Sequence, residues 1–395
     1  KDGTERPIGI GSVMRRLGGS VLLKMSKADL KAYYEPRGQM CLGTRNAPEK
    51  CAIAHNAKLA QDGTRTVYAA DERNGFGCIS QKAVLKGLEQ LPANLQWIRY
   101  TFGMYYRGTP KLLFRSGTNS FYVLCLVGFQ QGDPLGCIYF SAGADGSLVK
   151  MRGDFPDDNI QAYADDVHGC TPDNARVQCA DDGRGYALIP FVEGATDMPA
   201  AAARLRRWGD IAAEANLEVR HDKCYVFSPQ TDLDQAEFGD IRCRDGLLIL
   251  GIPIGTAQYV KETVTALANK AMAVSFRATE RIQHLQSRAL ADLHCSGSPK
   301  IGHLLRIVTP TATAEARKIN DAETLKAFLR LLDVPSLTDI QHKQSSLPLR
   351  LGGNGLRYTG QYKLAALVAG WAAALFPRSD ADFVVSDIAP SLAQL

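Results

Sequence analysis

The sequence predicts an α+β fold built on an antiparallel sheet with helices packed against it, and three observations predict it. Thr66–Ala70, Ile160–Ala164 and Val167–Cys170 are short, mostly apolar runs of strand length. The last two are separated by Asp165-Asp166 alone, which is hairpin spacing. Between strand candidates stand stretches with apolar residues at helical intervals. One holds Val84, Leu85, Leu88 and Leu91 behind Ser80, a good N-cap; the other holds Leu205, Trp208, Ile211 and Ala212 within 201–215.

The remaining elements follow in order. Arg6-Pro7-Ile8-Gly9-Ile10 reads as a short strand entered through a proline. A helical stretch around Val13, Met14, Leu17 and Leu22 comes next and also carries Arg15, Arg16, Lys24 and Lys27. Tyr105 to Pro110 resembles a hairpin tip, and Phe121 to Phe129 a strand leading into the Gly132-Asp133-Pro134 turn. Residues 172–198, rich in Gly, Pro, Asp and Ala, read as a loop or small insertion. A third strand is expected to end near Lys223, and a fourth to cover Leu247 to Ile254. From Val260 to about Arg330 the pattern is helical, with breaks at Pro299 and Pro310. Leu364 to Phe376 is Ala-rich, too short to cross a bilayer, and reads as a buried helix.

With 395 residues, 45% of them hydrophobic, the chain can bury two or three packed subdomains. Net charge is only +5, but it is unevenly spread: residues 1–65 hold 12 Lys/Arg against 6 Asp/Glu, residues 66–256 hold 18 against 24, and residues 257–345 hold 12 against 8. An acidic centre between two basic lobes suits a protein that handles metal ions and nucleic acid, although ordinary scatter gives differences of this size in chains this long. The ten cysteines form no C-x-x-C pair, which points to a reducing, intracellular compartment. No secretory signal is visible, and a start at Lys1 implies upstream sequence.

Three Asp-Asp dipeptides occur, and context separates them. Asp157-Asp158 and Asp181-Asp182 sit among turn formers and read as solvated loop acids. Only Asp165-Asp166 lies between apolar strand candidates, where unpaired carboxylates are costly unless used. Asp71 stands where another strand ends and a helix is about to begin. Three such acids gathered by the fold would repel one another unless divalent cations lay between them, and a pair of such ions is what phosphoryl transfer to a 3′-hydroxyl uses.

Six blocks then occur in a telling order. They are Arg6-Pro7-Ile8-Gly9, Asp71-x-x-Asn74-Gly75-Phe76, Gln131-Gly132-Asp133-Pro134-Leu135-Gly136, Tyr163-Ala164-Asp165-Asp166, Lys223, and Leu250-Gly251-Ile252-Pro253-Ile254-Gly255. Together they resemble the successive motifs of non-LTR retrotransposon reverse transcriptases, which are related to the group II intron enzymes. Leu347 to Leu356 resembles a segment found beyond the thumb in several such elements, so the resemblance covers residues 1 to about 357.

The resemblance implies a right-hand polymerase: fingers at 1–65 and 77–128, palm at 66–76 and 129–256, thumb at 257–345, and a C-terminal helical extension at 346–395. It implies RNA-directed DNA synthesis with an RNA template, a DNA primer and dNTPs, two Mg2+ ions (or Mn2+) as cofactors, no membrane partner, and a nuclear location. Asp71 and Asp165 would ligate both ions, with Asp166 beside them. Phe76 would lie under the nucleotide sugar, and Gln131 and Gly132 along the nucleotide and templating base; a Phe at such a spot serves equally in core packing. Asp133 reads as structural, capping the helix after Pro134. Arg6, and with it Lys1, would meet the triphosphate. Lys223 is either the proton donor to pyrophosphate or a solvated lysine. Leu250 and Gly251 would grip the primer end, and Arg277, Arg281 and Arg288, at spacings of four and seven, would track a phosphate backbone.

Gly75 and Gly77 around Phe76, Cys137 in place of a commoner proline, and the 172–198 insertion depart from the family's pattern. The competing reading is a catalytically silent, reverse-transcriptase-like RNA-binding scaffold.

Overall fold

The computed structural model describes residues 12–108, 110–116, 119–130, 132–171, 176–181, 186–188, 196–230, 232–281, 289–291, 293 and 300–375. The chain divides into two compact units, Lys1–Cys51 with Gln61–Leu250, and Ala52–Ala60 with Gly251–Leu395.

The elements up to the first sheet strands are α1 (Val13–Met25), α2 (Lys27–Tyr34), α3 (Ala47–Gln61), β1 (Thr66–Ala70), α4 (Gly75–Cys78), α5 (Gln81–Glu89), α6 (Trp97–Tyr106), β2 (Lys111–Ser116), β3 (Asn119–Leu124) and α7 (Gly136–Asp154). There follow β4 (Gln161–Tyr163), β5 (Asp166–Thr171), β6 (Arg176–Asp181), β7 (Tyr186–Leu188), β8 (Thr196–Pro199), α8 (Ala200–Ala213), β9 (Tyr225–Phe227), α9 (Gln235–Phe238), β10 (Arg242–Cys243) and β11 (Gly246–Ile249).

The α+β expectation holds. Five strands form one sheet in the order β10-β9-β1-β5-β4. Its central strand, β1, runs antiparallel to β5 with Thr66 opposite Thr171 and Ala70 opposite Val167, and antiparallel to β9 with Val67 opposite Phe227. Val67 and Tyr68 are both buried, as a central strand covered on two faces requires. The helices α7 and α8 fill the adjoining core with Tyr139, Phe140, Leu148, Leu205, Trp208 and Ile211, each buried side chain contributing roughly 1.5–3 kcal/mol by leaving water. Helices α5 and α7 meet closely: a Cβ at Gly87 would stand 1.8 Å from the Ala142 carbonyl oxygen.

Several expectations are corrected. The 105–110 segment is no hairpin tip, because Trp97–Tyr106 is helical with Ile98, Phe102 and Tyr106 buried at four-residue intervals. The hairpin comes later, pairing Lys111 with Leu124 and Ser116 with Asn119, so the strand expected over 121–129 stops at Leu124. Of the two readings of 172–198 the insertion holds, since among its described residues β6 pairs antiparallel with both β7 and β8 in a separate three-stranded sheet. No strand ends at Lys223; His221–Lys223 is a single 3-10 turn, and β9 starts beyond it. The run 247–254 is two strands, because Leu250 (φ 52°) and Gly251 (φ 84°) turn the chain between Gly246–Ile249 and Ile252–Gly255. Asp158 is not a solvated loop acid: its side chain is 1% exposed, paired with Arg204 at 3.0 Å and accepting a hydrogen bond from the Tyr68 hydroxyl at 3.1 Å. Asp182 and the Arg6–Ile10 strand lie outside the described residues.

The second unit continues with β12 (Ile252–Gly255), α10 (Ala257–Arg281) and the helices Ala314–Leu332, Asp339–Ser346 and Thr359–Leu375. One of its cores gathers Val264, Ala268, Ile301, Leu304, Leu305, Val308 and Ala316. The helix Thr359–Leu375 is only half buried, contrary to expectation, for Leu364 and Val368 face solvent. Its first turn is held by the Asp321 carboxylate, which accepts from Thr359 N–H at 2.8 Å and Thr359 Oγ1 at 2.9 Å. No helix among the described residues is long and apolar enough to cross a membrane.

Candidate functional site

The site lies in the first unit, at the end of the sheet where β1 stops and the β4–β5 hairpin turns. Tyr163 pairs with Asp166, so the two-residue turn is Ala164 and Asp165, one residue earlier than the Asp165-Asp166 tip expected from the sequence, and Asp166 already belongs to the strand. Ala164 takes φ 54°, a conformation that a non-glycine residue adopts at roughly 1–2 kcal/mol. Asp166 is the first, exposed residue of β5, and Asp165 is half-buried on the turn. The last β1–β5 pair is Ala70 with Val167; one step further, Asp71 and Asp166 leave the two strands at the same end. Backbone topology therefore brings residues 71, 165 and 166 together.

Beyond Asp71 the chain is tied to the segment after α8. The Asp71 carbonyl accepts the Arg220 N–H at 2.9 Å, Glu72 bridges Val219, and Arg73 N–H donates to Glu218 O at 2.8 Å. Lys223 follows in the His221–Lys223 turn, which places it within three residues of the Asp71 contact. Gly75, one of the departures from the family's pattern, sits tightly against this site. A Cβ there would stand 3.1 Å from Asp165 Cβ and 3.0 Å from the Phe140 ring. Phe76 is half-buried, its ring stacked on Phe140 at 5.0 Å and edge-on to Phe129 at 5.5 Å.

The residue that sequence reasoning missed is Glu72. It is 5% exposed, and neither carboxylate oxygen has a hydrogen-bond partner. Burial raises its carboxyl well above the usual range, and the charges of Asp165, Asp166 and Asp71 push the same way. The indole N–H of Trp208 opposes them from nearby, yet stays outside hydrogen-bond geometry, since it too lacks a partner. A charged residue just after a strand reads in sequence as solvated, and no local signal marks it as buried.

Carboxylate oxygens are hard donors, suited to Mg2+ or Mn2+ and unsuited to soft metals, so the donor chemistry fits the ions that the resemblance implies. Among the described residues, however, no three His, Cys, Asp or Glu side chains converge closely enough to ligate one ion. The fit is one of donor type and charge.

The other expected site residues are distributed as follows. Gly132 is exposed, at φ 108°. Asp133 is structural but not the helix cap that the sequence suggested: α7 has Leu135 as its N-cap with no side-chain cap bond, and Asp133 Oδ1 instead accepts from Leu135 N–H at 3.0 Å in the turn before it, while the carboxylate pairs with Arg15. Leu250 and Gly251 form the turn described above. Arg277 and Arg281 lie on the α10 backbone. Lys1, Arg6, Gln131 and Arg288 lie outside the described residues.

Comparison with known proteins finds no family model that matches the chain. Over 371 residues it is 23% identical to the Retrotransposable element SLACS 132 kDa protein of Trypanosoma brucei gambiense, covering 91% of this chain and 28% of that protein. Among solved structures it resembles telomerase from Candida albicans in complex with a TWJ fragment of telomeric RNA (TM-score 0.45, 12% identity, 92% of this chain and 53% of that one). It also resembles apo telomerase from Candida tropicalis (TM-score 0.43, 10% identity, 96% and 58%). The chain therefore spans just over a quarter of its curated relative and a little over half of these telomerase chains.

Proposed function

We propose that this chain is the polymerase part of a retrotransposable-element protein, an RNA-directed DNA polymerase that extends a DNA 3′ end by copying RNA. The observation that carries this reading is the arrival of Asp71, Asp165 and Asp166 at one end of the sheet, beside the buried Glu72. The similarity to the SLACS protein across 91% of the chain supports it.

In this reading Asp71 and Asp165 hold two Mg2+ ions, with Mn2+ as an alternative, and Asp166 adds negative field beside them. When bound, such ions lower the pKa of the primer hydroxyl and offset charge on the triphosphate and departing pyrophosphate. Lys223 gives a proton to the pyrophosphate oxygen as general acid. Phe76, packed against Phe140 and Phe129, lies under the sugar, where its ring meets a 2′-hydroxyl. Gln131 and Gly132 line the nucleotide, Arg6 meets its phosphates, and Leu250 with Gly251 holds the primer end. Arg277, Arg281 and Arg288 follow the backbone of a hybrid recognised by shape more than by sequence. The chain is then a right hand with fingers at 1–65 and 77–128, palm at 66–76 and 129–256, thumb at 257–345 and an extension at 346–395. Priming from chromosomal DNA places its work in the nucleus.

Primer extension on poly(rA)/oligo(dT) with Mg2+ tests the proposal. Incorporation of dTTP that disappears in Asp165→Asn supports it; retained RNA binding without extension favours the silent scaffold instead.

A further inference from the structure

Gln39 lies 125 residues from Ala164 in sequence, is 2% exposed, and meets it through both ends of its amide. Its Oε1 accepts the Ala164 N–H at 3.0 Å, and its Nε2 donates to the Ala164 carbonyl at 3.4 Å. The same Oε1 accepts from Cys41 N–H at 3.4 Å. This amide orientation is the one that matches every donor with an acceptor.

The backbone delivers the side chain to that spot. Gly38, at φ 91°, turns the chain after Glu35–Arg37, and its carbonyl accepts the Ala162 N–H at 2.8 Å. Met40 N–H donates to the Ala162 carbonyl at 2.8 Å, making Gln39 and Ala162 a parallel bridge on the edge of β4 away from β5. That bridge ends where the turn begins. Ala164 lies beyond the reach of further strand pairing, and the Gln39 amide takes the place of the missing partner for both its N–H and its C=O.

We infer that Gln39 is a positioning residue, whose amide clasps Ala164 in its left-handed conformation and thereby sets where the Asp165 carboxylate stands. The inference rests on the polymerase reading for the role of Asp165. Only glutamine suits the position: asparagine is one methylene shorter, methionine has no strong donor or acceptor, and glutamate has no donor and adds a negative charge near Asp165. Being buried, Gln39 cannot reach template, primer or nucleotide. Its loss therefore acts on the rate and not on binding.

The test is Gln39→Met in the full chain, with two readouts. Hydrogen–deuterium exchange of the peptide spanning 161–166 should quicken tenfold or more at the Ala164 amide; unchanged exchange would overturn the clasp, whatever the protein's activity. In primer extension kcat should fall on the order of 10–100-fold, with dNTP KM and primer–template Kd unchanged. A change confined to KM or Kd would overturn the positioning role. If Gln39→Met does not fold, Gln39→Leu, which removes both bonds to Ala164 without adding a charge, carries both readouts; failure of both variants to fold would make the residue purely structural and overturn the inference. Absence of extension by the wild type would sink the polymerase reading while the exchange result still decides the clasp.

Discussion

Arg15 and Asp133 form an ion pair largely out of water, their side chains 15% and 1% exposed. Arg15 Nη2 also donates to Tyr106 Oη at 2.9 Å, and the guanidinium lies 4.1 Å from the Tyr105 ring centroid. Tyr106 in turn donates to Asp133 at 3.2 Å and accepts the Gln130 N–H at 3.3 Å. So α1, α6 and the turn before α7 are joined at one carboxylate. Removing Arg15 leaves that carboxylate buried without its counter-charge, held by the Tyr106 hydroxyl and the Leu135 N–H alone. Arg15→Ala should destabilise the protein by about 3 kcal/mol in urea unfolding, and Arg15→Ala with Asp133→Ala should lose less than the two singles added.

His168, on β5 opposite Ala69 and Gln161, is 2% exposed, and burial lowers its pKa from 6.5 to about 4. Between those values the unfolded chain takes up a proton that the folded chain refuses. Stability is therefore full above pH 6.5 and falls as pH drops toward 4, by about 3 kcal/mol for this group. Glu72, Asp145 and Asp158, whose carboxyls are raised by burial, act in the opposite direction in acid. The comparison must then be with His168→Leu, whose unfolding free energy should fall less steeply between pH 6.5 and 4.5 than the wild type's. Parallel slopes would show that the imidazole is not the group responsible.

What was legible in the sequence was local. β1 and the turn at Asp165 could be read because each is a short apolar run cut off by carboxylates, and the Ser80 cap accepts the Ala83 N–H as its position foretells. What escaped depends on partners far along the chain. Asp158 looks solvated until Arg204 arrives, and Gln39 looks like any polar residue until β4 brings Ala164 beneath it. Gly108 and Pro110 look like a hairpin tip because turn formers cluster there, yet the aromatic residues before them bury at helical spacing, and that burial decides the structure.

The contact of α5 with α7 separates two glycines of similar helical setting. At Gly87 an added Cβ would collide with the Ala142 carbonyl at 1.8 Å, whereas at Gly146, on the exposed side of α7, nothing lies within 4 Å. Gly87→Ala should force the helices apart and lower stability by about 2–3 kcal/mol. Gly146→Ala should raise it by up to about 1 kcal/mol through helix propensity and a less free unfolded chain. Thermal unfolding of the two variants side by side checks the pair, and equal effects would mean that the helices do not meet at Gly87.

Cys137 stands in the first turn of α7, exposed as a residue, while Cys41 beside it bonds Ser141 Oγ at 3.4 Å, one helical turn further on. The Cys41 thiol lowers the Cys137 pKa by hydrogen bonding to it, against burial and the nearby Asp165 charge. Cys41 is itself pushed well above the ordinary thiol range, first by that same contact and then by burial. Cys51 and Cys224 are pushed up to about 12 by burial. Since the thiolate is the nucleophile, iodoacetamide at pH 7.5 should alkylate Cys137 ahead of Cys41, Cys51 and Cys224, as read by peptide mass spectrometry. Cys41→Ala removes the donor, so Cys137 labelling should slow in that variant. If Cys137 labels at the same rate with and without Cys41, the thiol–thiol contact does not govern its ionisation.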